Sequence, residues 1–263
     1  MKQQILSLLP AECPTRDTLY WFDSTDSTNN QAKLLASAGA PAGTAVIADC
    51  QTSGRGRMGR SFVSDAGAGV YLSFILRPAC SAAECMHLTC AVAVAACDAI
   101  ESVCAVRPKI KWINDLILGN KKLGGILTEL SLIPGTDRID YAVVGIGINC
   151  NQQQEDFPDG LQNIATSLRA KTGKTFSRAA LCASLIEKLS SLQENLICKE
   201  DYLEAYRRDC ITLGKQVVLL PDEVSATALA VDEEGALSVR LADGTVRRVI
   251  SGEASVRGIG GYL

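Results

Sequence analysis

The stretch over residues 83–103 limits the architecture more than any other. It reads as a helix with almost no polar face through its middle. A helix that is apolar all round has to be covered all round. Its apolar run, residues 90–100, is too short and too rich in alanine to cross a bilayer. The cover must therefore come from the rest of the chain. With 263 residues, 47% of them hydrophobic, there is material for one sizeable core, or for a large domain plus a small one.

Around that helix the patterning alternates without regularity. Asp26-Ser27-Thr28-Asn29 predicts a capped helix start, with the helix running from Gln31 to a glycine stop at Gly39. Residues 44–51 and 70–77 read as strands, as do 109–112 and 116–118 with a break between them. Residues 125–132 and 141–149 read as paired strands, and 177–196 and 201–210 as amphipathic helices. Strands and helices without a βαβ rhythm predict an α+β fold with a mixed sheet. After Gly214 the texture changes to four short strands, 216–220, 225–231, 236–241 and 245–250, with Glu234-Gly235 and Asp243-Gly244 as turns. A boundary is expected near residue 213, giving units 1–212 and 213–263, the second a small β-barrel.

Several function classes lose support. Net charge is −3, so no global basic field favours nucleic acid. The first ten residues do not read as a signal peptide, and a cytoplasmic protein without a membrane span is expected. Eleven cysteines include no C-x-x-C pair and read as small buried hydrophobes. A single histidine, His87, makes most histidine-based hydrolysis and metal chemistry unlikely to apply.

Four segments carry chemistry. Gly54-Arg55-Gly56-Arg57-Met58-Gly59-Arg60 fits G-x-G-x-x-G, but no helix opens after it, which excludes a dinucleotide fold. Gly173-Lys174-Thr175 lacks the earlier glycine of a P-loop, since Leu168 stands there. What remains is a loop of arginines among glycines. Arginine matches phosphate or carboxylate with a planar fork, and glycine lets backbone approach a ligand. On composition alone a solvated surface loop or a nonspecific RNA contact fits equally. Lys111-Trp112-Ile113-Asn114-Asp115 offers an amide and a carboxylate for magnesium and nucleotide, or an ordinary polar turn. Lys122 precedes the pair Gly124-Gly125, and Gly145 and Gly147 interrupt an apolar strand. Such glycines admit a ligand or a tightly packed backbone. Together the segments suit phosphoryl-centred chemistry driven by charge stabilisation.

These residues resemble the biotin–protein ligase family. The resemblance rests on Asp26-Ser27-Thr28-Asn29, Gln51 through Arg60, Lys111 through Asp115 and Lys122 through Leu127, in order and spacing. Gly145 through Asn149 and Gly252-Glu253-Ala254-Ser255 also fit, so it covers roughly 19–257. It implies a fold related to class II aminoacyl-tRNA synthetases with an SH3-like C-terminal domain. It implies that biotin and MgATP give biotinyl-adenylate, and that the biotinyl group passes to a lysine of the biotin carboxyl carrier protein of acetyl-CoA carboxylase. Carried over, Ser27, Thr28, Asn29 and Gln51 serve biotin. Gly54, Arg55, Gly56 and Arg57 form a loop closing over it. Gly125, Leu127 and Gly145 line the pocket. Lys122 meets carboxylate and α-phosphate, sharing the catalytic burden with Arg57 and Arg55. Arg57, Arg60, Phe62, Lys111, Asn114, Asp115, Lys122 and Asn149 serve the nucleotide, with Asp115 as the Mg²⁺ ligand.

Departures are Ile113 where proline is common, Phe62 where tryptophan is common, and Ser251 for a frequent glycine. The 26 residues before Ser27 are too few for a winged helix, so no operator binding is expected. A homodimer is left open. The same-fold alternative is a lipoate or octanoate ligase or transferase.

Overall fold

The computed structural model describes residues 1–196, 198–250 and 255–258. In chain order the first part runs α1 (Lys2–Leu8), β1 (Leu19–Thr25), α2 (Thr28–Ser37), β2 (Ala45–Gln51), β3 (Gly69–Leu76) and α3 (Leu88–Cys104). It continues through β4 (Lys109–Lys111), β5 (Asp115–Leu118), β6 (Lys121–Leu132), β7 (Ile139–Asn149), α4 (Leu168–Thr172), α5 (Arg178–Asn195) and α6 (Lys199–Asp209). The strands β8 (Gln216–Leu220), β9 (Val224–Val231), β10 (Leu237–Leu241), β11 (Val246–Val249) and β12 (Ser255–Gly258) complete it.

The first seven strands form one sheet in the order β1-β2-β3-β7-β6-β5-β4. Only β1 and β2 pair parallel; the other neighbours are antiparallel. The sheet is therefore mixed, as the irregular patterning predicts. The apolar helix is α3. It is buried along its length between α5, α6 and the sheet. Cys90, Cys97 and Cys104 recur on it every seven residues, close to two turns, and all three are buried. Burial pushes the Cys97 thiol up to about 12 and Cys104 to about 11, so they stay protonated packing groups. None of the eleven cysteines is in a disulfide.

The strand period gives the two faces of the sheet different jobs. Leu72 and Phe74 of β3, Ile126 of β6 and Val144 and Ile146 of β7 point into the main core under α3. The alternate positions meet α2, where Ile75, Tyr141 and Val143 pack on Ala32 and Ala36. Beyond the end of α2 that second face is open, and Gly125, Leu127, Gly145 and Gly147 sit on it.

Several elements differ from the sequence reading, and β6 begins at Lys121, four residues before the expected start at Gly125. α3 begins at Leu88 because the Glu84 carboxylate closes a turn on the Ser81 amide and hydroxyl, both at 2.8 Å. α2 begins at Thr28, three residues early. β1 was not foreseen: it is an edge strand, buried at Leu19 and partly exposed elsewhere, so it lacks clean alternation.

The C-terminal strands make an antiparallel sheet, β11-β10-β9-β8-β12. Its apolar residues, among them Val217, Leu237 and Val239, join the same core as α3. Of the expected segment Gly252-Glu253-Ala254-Ser255, only Ser255 is among the described residues; Ser251 is outside them too. No described helix is long and apolar enough to cross a membrane.

Candidate active site

A cavity opens on the second face of the sheet and draws its walls from separate segments. Ser27, Thr28 and Asn29 line it from the start of α2, and Gln51 from the end of β2. Arg55, Gly56, Arg57, Arg60 and Phe62 come from the glycine–arginine loop, and Lys111, Asn114 and Asp115 from the β4–β5 connection. Lys122, Gly125, Leu127 and Gly145 come from β6 and β7. Two predicted residues lie outside this lining. Gly54 sits beneath the backbone of Phe62, and the Asn149 amide is turned to the Thr166 carbonyl at 3.0 Å. The sequence cannot show that Asn149 is spent inside the fold, because Thr166 lies on a distant loop.

The α2 terminus is capped from another strand. Ser27 makes no side-chain cap. Instead the Thr28 amide donates to Gln51 Oε1 at 2.8 Å, and the Thr28 hydroxyl lies 3.1 Å from the same oxygen. Asp26, expected as part of the cap, accepts from Asn30 at 2.6 Å and Gln31 at 3.1 Å. The Asn30 bond above all holds its carboxyl down to about 2. Buried Ser73 on β3 donates to Asn29 Oδ1 at 2.6 Å and sits 2.8 Å from the Thr28 hydroxyl.

Two glycines are required by close approach. A side chain at Gly145 would stand 2.0 Å from Asn29 Oδ1, and one at Gly147 would stand 2.7 Å from the Phe62 ring. The Phe62 ring therefore packs against bare backbone, with Tyr71 at a T-shaped 6.4 Å from it.

The glycine–arginine loop is a small hairpin. Arg55 bridges Ser61, the Gly56 amide donates to the Arg60 carbonyl at 2.6 Å, and the Phe62 amide donates to Gly54 at 2.9 Å. Met58 and Gly59 turn its tip with φ of 53° and 73°. Arg57 reaches inward to Asn114 Oδ1 at 3.1 Å. Burial lowers its affinity for the proton, and neighbouring Asp115 partly restores it. Opposite, Lys122 Nζ pairs with Asp115 at 2.5 Å, and Asn114 Nδ2 donates to the Ile126 carbonyl at 2.8 Å. Lys111 is 8% exposed. The Trp112–Ile113 peptide is cis.

Sequence reasoning missed Ser73, Tyr71 and Glu129 as parts of this site. Glu129 had a readable signal: it lies two residues past Leu127, on the same face of β6. Its carboxylate accepts from Asn29, Lys33 and Arg55.

A mixed sheet with glycine-bare strands under converging guanidinium, ammonium, amide and carboxylate groups defines a ligase-type activating site on a fold related to the class II aminoacyl-tRNA synthetases. Comparison with known proteins narrows the class. Residues 21–149 match the biotin/lipoate A/B protein ligase family, and residues 212–257 match the biotin protein ligase C-terminal domain. The bifunctional ligase/repressor BirA of Bacillus subtilis is 36% identical over 89% of this chain and 73% of its own. The biotin–[acetyl-CoA-carboxylase] ligase of Mycobacterium tuberculosis is 31% identical over 84% of this chain and 83% of its own. The structure of biotin protein ligase from Aquifex aeolicus in complex with biotin and ATP superimposes with a TM-score of 0.77, at 30% identity, over 92% of this chain and 99% of that one. The chain belongs to the biotin protein ligase family and is an enzyme of the ligase class.

Proposed function

We propose that this chain joins the biotin carboxylate to the α-phosphate of ATP, releasing pyrophosphate, and then passes the biotinyl group to a lysine amine of the biotin carboxyl carrier protein of acetyl-CoA carboxylase, forming an amide and releasing AMP. The observation that carries this reading is the convergence of Arg57 from the hairpin with Asp115 and Lys122 from the neighbouring strands β5 and β6, beside the glycine-bare strands of one cavity. The name of the Mycobacterium tuberculosis relative supports the choice of carrier.

The difficulty in the first step is that two anions must meet. Lys122 neutralises the carboxylate and the α-phosphate together, and Arg57 adds charge where the pentavalent centre forms. Fixing both reactants against the sheet supplies orientation. The hairpin of Arg55 to Arg60 covers the mixed anhydride and excludes water. Ser27, Thr28, Asn29 and Gln51 hold the biotin head; Gly54 and Gly56 let the hairpin come close; Gly125, Leu127 and Gly145 form the floor. Arg60, Phe62, Lys111 and Asn114 serve the nucleotide; Asn149, expected beside them, is bonded to Thr166 outside the cavity instead. Mg²⁺ fits this site through Asp115. No cluster of three metal-ligating side chains occurs among the described residues. Magnesium is commonly held by one or two carboxylates plus substrate phosphates, and when bound it supplies charge neutralisation there. Residues 1–212 form the catalytic unit, 213–263 the C-terminal one, in a cytoplasmic protein.

Mass spectrometry of the carrier domain after incubation with this chain, biotin and MgATP is the direct test. One added biotinyl group at one lysine is the expected result. A lipoyl adduct in a parallel reaction, without a biotinyl one, assigns the same-fold alternative instead; an unmodified carrier in both rejects the reading.

A further inference from the structure

Glu129 has no part in the reaction just described, yet side chains from the helix wall and the hairpin wall converge on it. It follows Gly125 and Leu127 at the strand period, which places it on the cavity face of β6, just beyond the lining residues. One oxygen accepts from Asn29 Nδ2 at 2.9 Å, and the other from Lys33 Nζ at 2.8 Å and Arg55 at 3.1 Å. Asn29 and Lys33 are one turn apart on α2, so the carboxylate lies along that helix. Arg55 belongs to the hairpin. One side chain on the sheet thus ties the helix wall to the hairpin wall.

We propose that Glu129 is the positioning residue that sets Arg55 and Asn29 against the biotin end of the cavity. The assignment rests on the reading of this cavity as a biotin site. The Asn29 amide has its oxygen bonded by Ser73 and its nitrogen by Glu129, so its orientation is determined from both sides. Among the described residues, the other side-chain acceptor for that Arg55 nitrogen is Asn30 Oδ1, at 3.0 Å. Exposed ion pairs add little to stability. The side chains of Glu129, Lys33 and Arg55 are 22%, 33% and 41% exposed, so these partly solvated pairs fix the placement of neighbours more than they add stability.

Glu129→Gln keeps an acceptor for Asn29 and removes the charge that holds Arg55. It is expected to raise the KM for biotin by about tenfold in biotin-dependent pyrophosphate release, with kcat and the KM for ATP changed less than about twofold. In an Arg55→Ala background the same substitution should add no further rise in that KM. Lys33→Ala, which breaks only the pair remote from the hairpin, should stay within about twofold of the parent. Glu129→Asp, which keeps the charge one methylene shorter, should fall between and serves should the glutamine variant fail to fold. A glutamine variant with unchanged biotin KM overturns the proposal. So does a double variant whose losses multiply, or a lysine variant as impaired as the glutamine one. If the parent chain shows no biotin-dependent pyrophosphate release, the biotin reading itself fails, and this assignment with it.

Discussion

Two walls of the cavity carry equivalent chemistry and are built in opposite ways. The β4–β5 wall is sunk into the protein: Lys111, Trp112 and Ile113 are 8%, 4% and 2% exposed. It is bonded from behind by the C-terminal half. The Trp112 amide donates to Thr212 Oγ1 at 2.9 Å, its indole to the Gly235 carbonyl at 3.0 Å, and the Tyr206 hydroxyl to the Ile113 carbonyl at 3.1 Å. The hairpin wall has an exposed tip, with Met58 at 59%, and is held by a few polar bonds. Groups on the buried wall keep their geometry because packing over-determines them. Groups on the hairpin are placed by contacts that a ligand can compete with. The contrast suits an enzyme that must fix a charge and also admit and cover a substrate.

The largest effects should come from removing the hairpin's inward charge, Arg57, or the Lys122 ammonium that pairs with Asp115 of the buried wall. Lys122→Ala is expected to lower biotin-dependent pyrophosphate release by about 10²–10³-fold, and Arg57→Ala by about 10²-fold, with unchanged melting transitions. Full activity in either variant removes that residue from the mechanism.

Acid should loosen the support of the buried wall. His87 is buried against the turn at Gly235, and its Nδ1 lies 2.5 Å from the Tyr202 hydroxyl. Burial, and secondarily the charge of Lys199, push it down to about 4. In the unfolded chain it titrates near 6.5, as an ordinary histidine does. Between those values the unfolded state binds a proton that the folded state refuses, so stability falls as pH drops from about 6.5 to about 4. The full loss is roughly 3 kcal/mol. Urea unfolding at pH 7 and pH 4.5 should show His87→Gln losing less stability across that interval than the parent; equal losses discard the histidine as the cause.

Trp112→Phe keeps an aromatic side chain but removes the buried five-membered ring of the indole, and with it the bond to Gly235. A buried carbonyl is left without its partner, at a cost of about 1–2 kcal/mol in denaturant unfolding. A smaller change than that would mean the buried wall is held by packing alone. The smallest effect belongs to the hairpin. Met58 has a left-handed backbone, which asparagine tolerates better. Met58→Asn should slow amide exchange at Gly56 and Phe62, by about 0.5 kcal/mol, without moving the global transition. A shift of the whole transition would show that the hairpin is part of the cooperative core, and the contrast between the walls would be lost.

Much of the site was legible because its chemistry is local in sequence. The arginines lie within one loop, Asn114 and Asp115 within another, and Lys122 stands next to its glycines. Glu129 and Ser73 were not legible, since neither sits in a motif and each acts through partners far along the chain. The start of α2 misled for a related reason. Its cap is Gln51, which the chain returns to only after a complete strand.

Composition and periodicity by themselves determined that a buried helix needed cover from the rest of the chain and that the sheet would be mixed; the strand glycines left a ligand and a packed backbone equally open. Those features depend on residues within a few positions of one another. Only the tertiary structure decided which arginine meets Asn114, which acid holds Arg55, and that Asn149 is spent on Thr166. Such pairings depend on distances across the sheet, and a hydrogen bond is made or lost over less than an ångström.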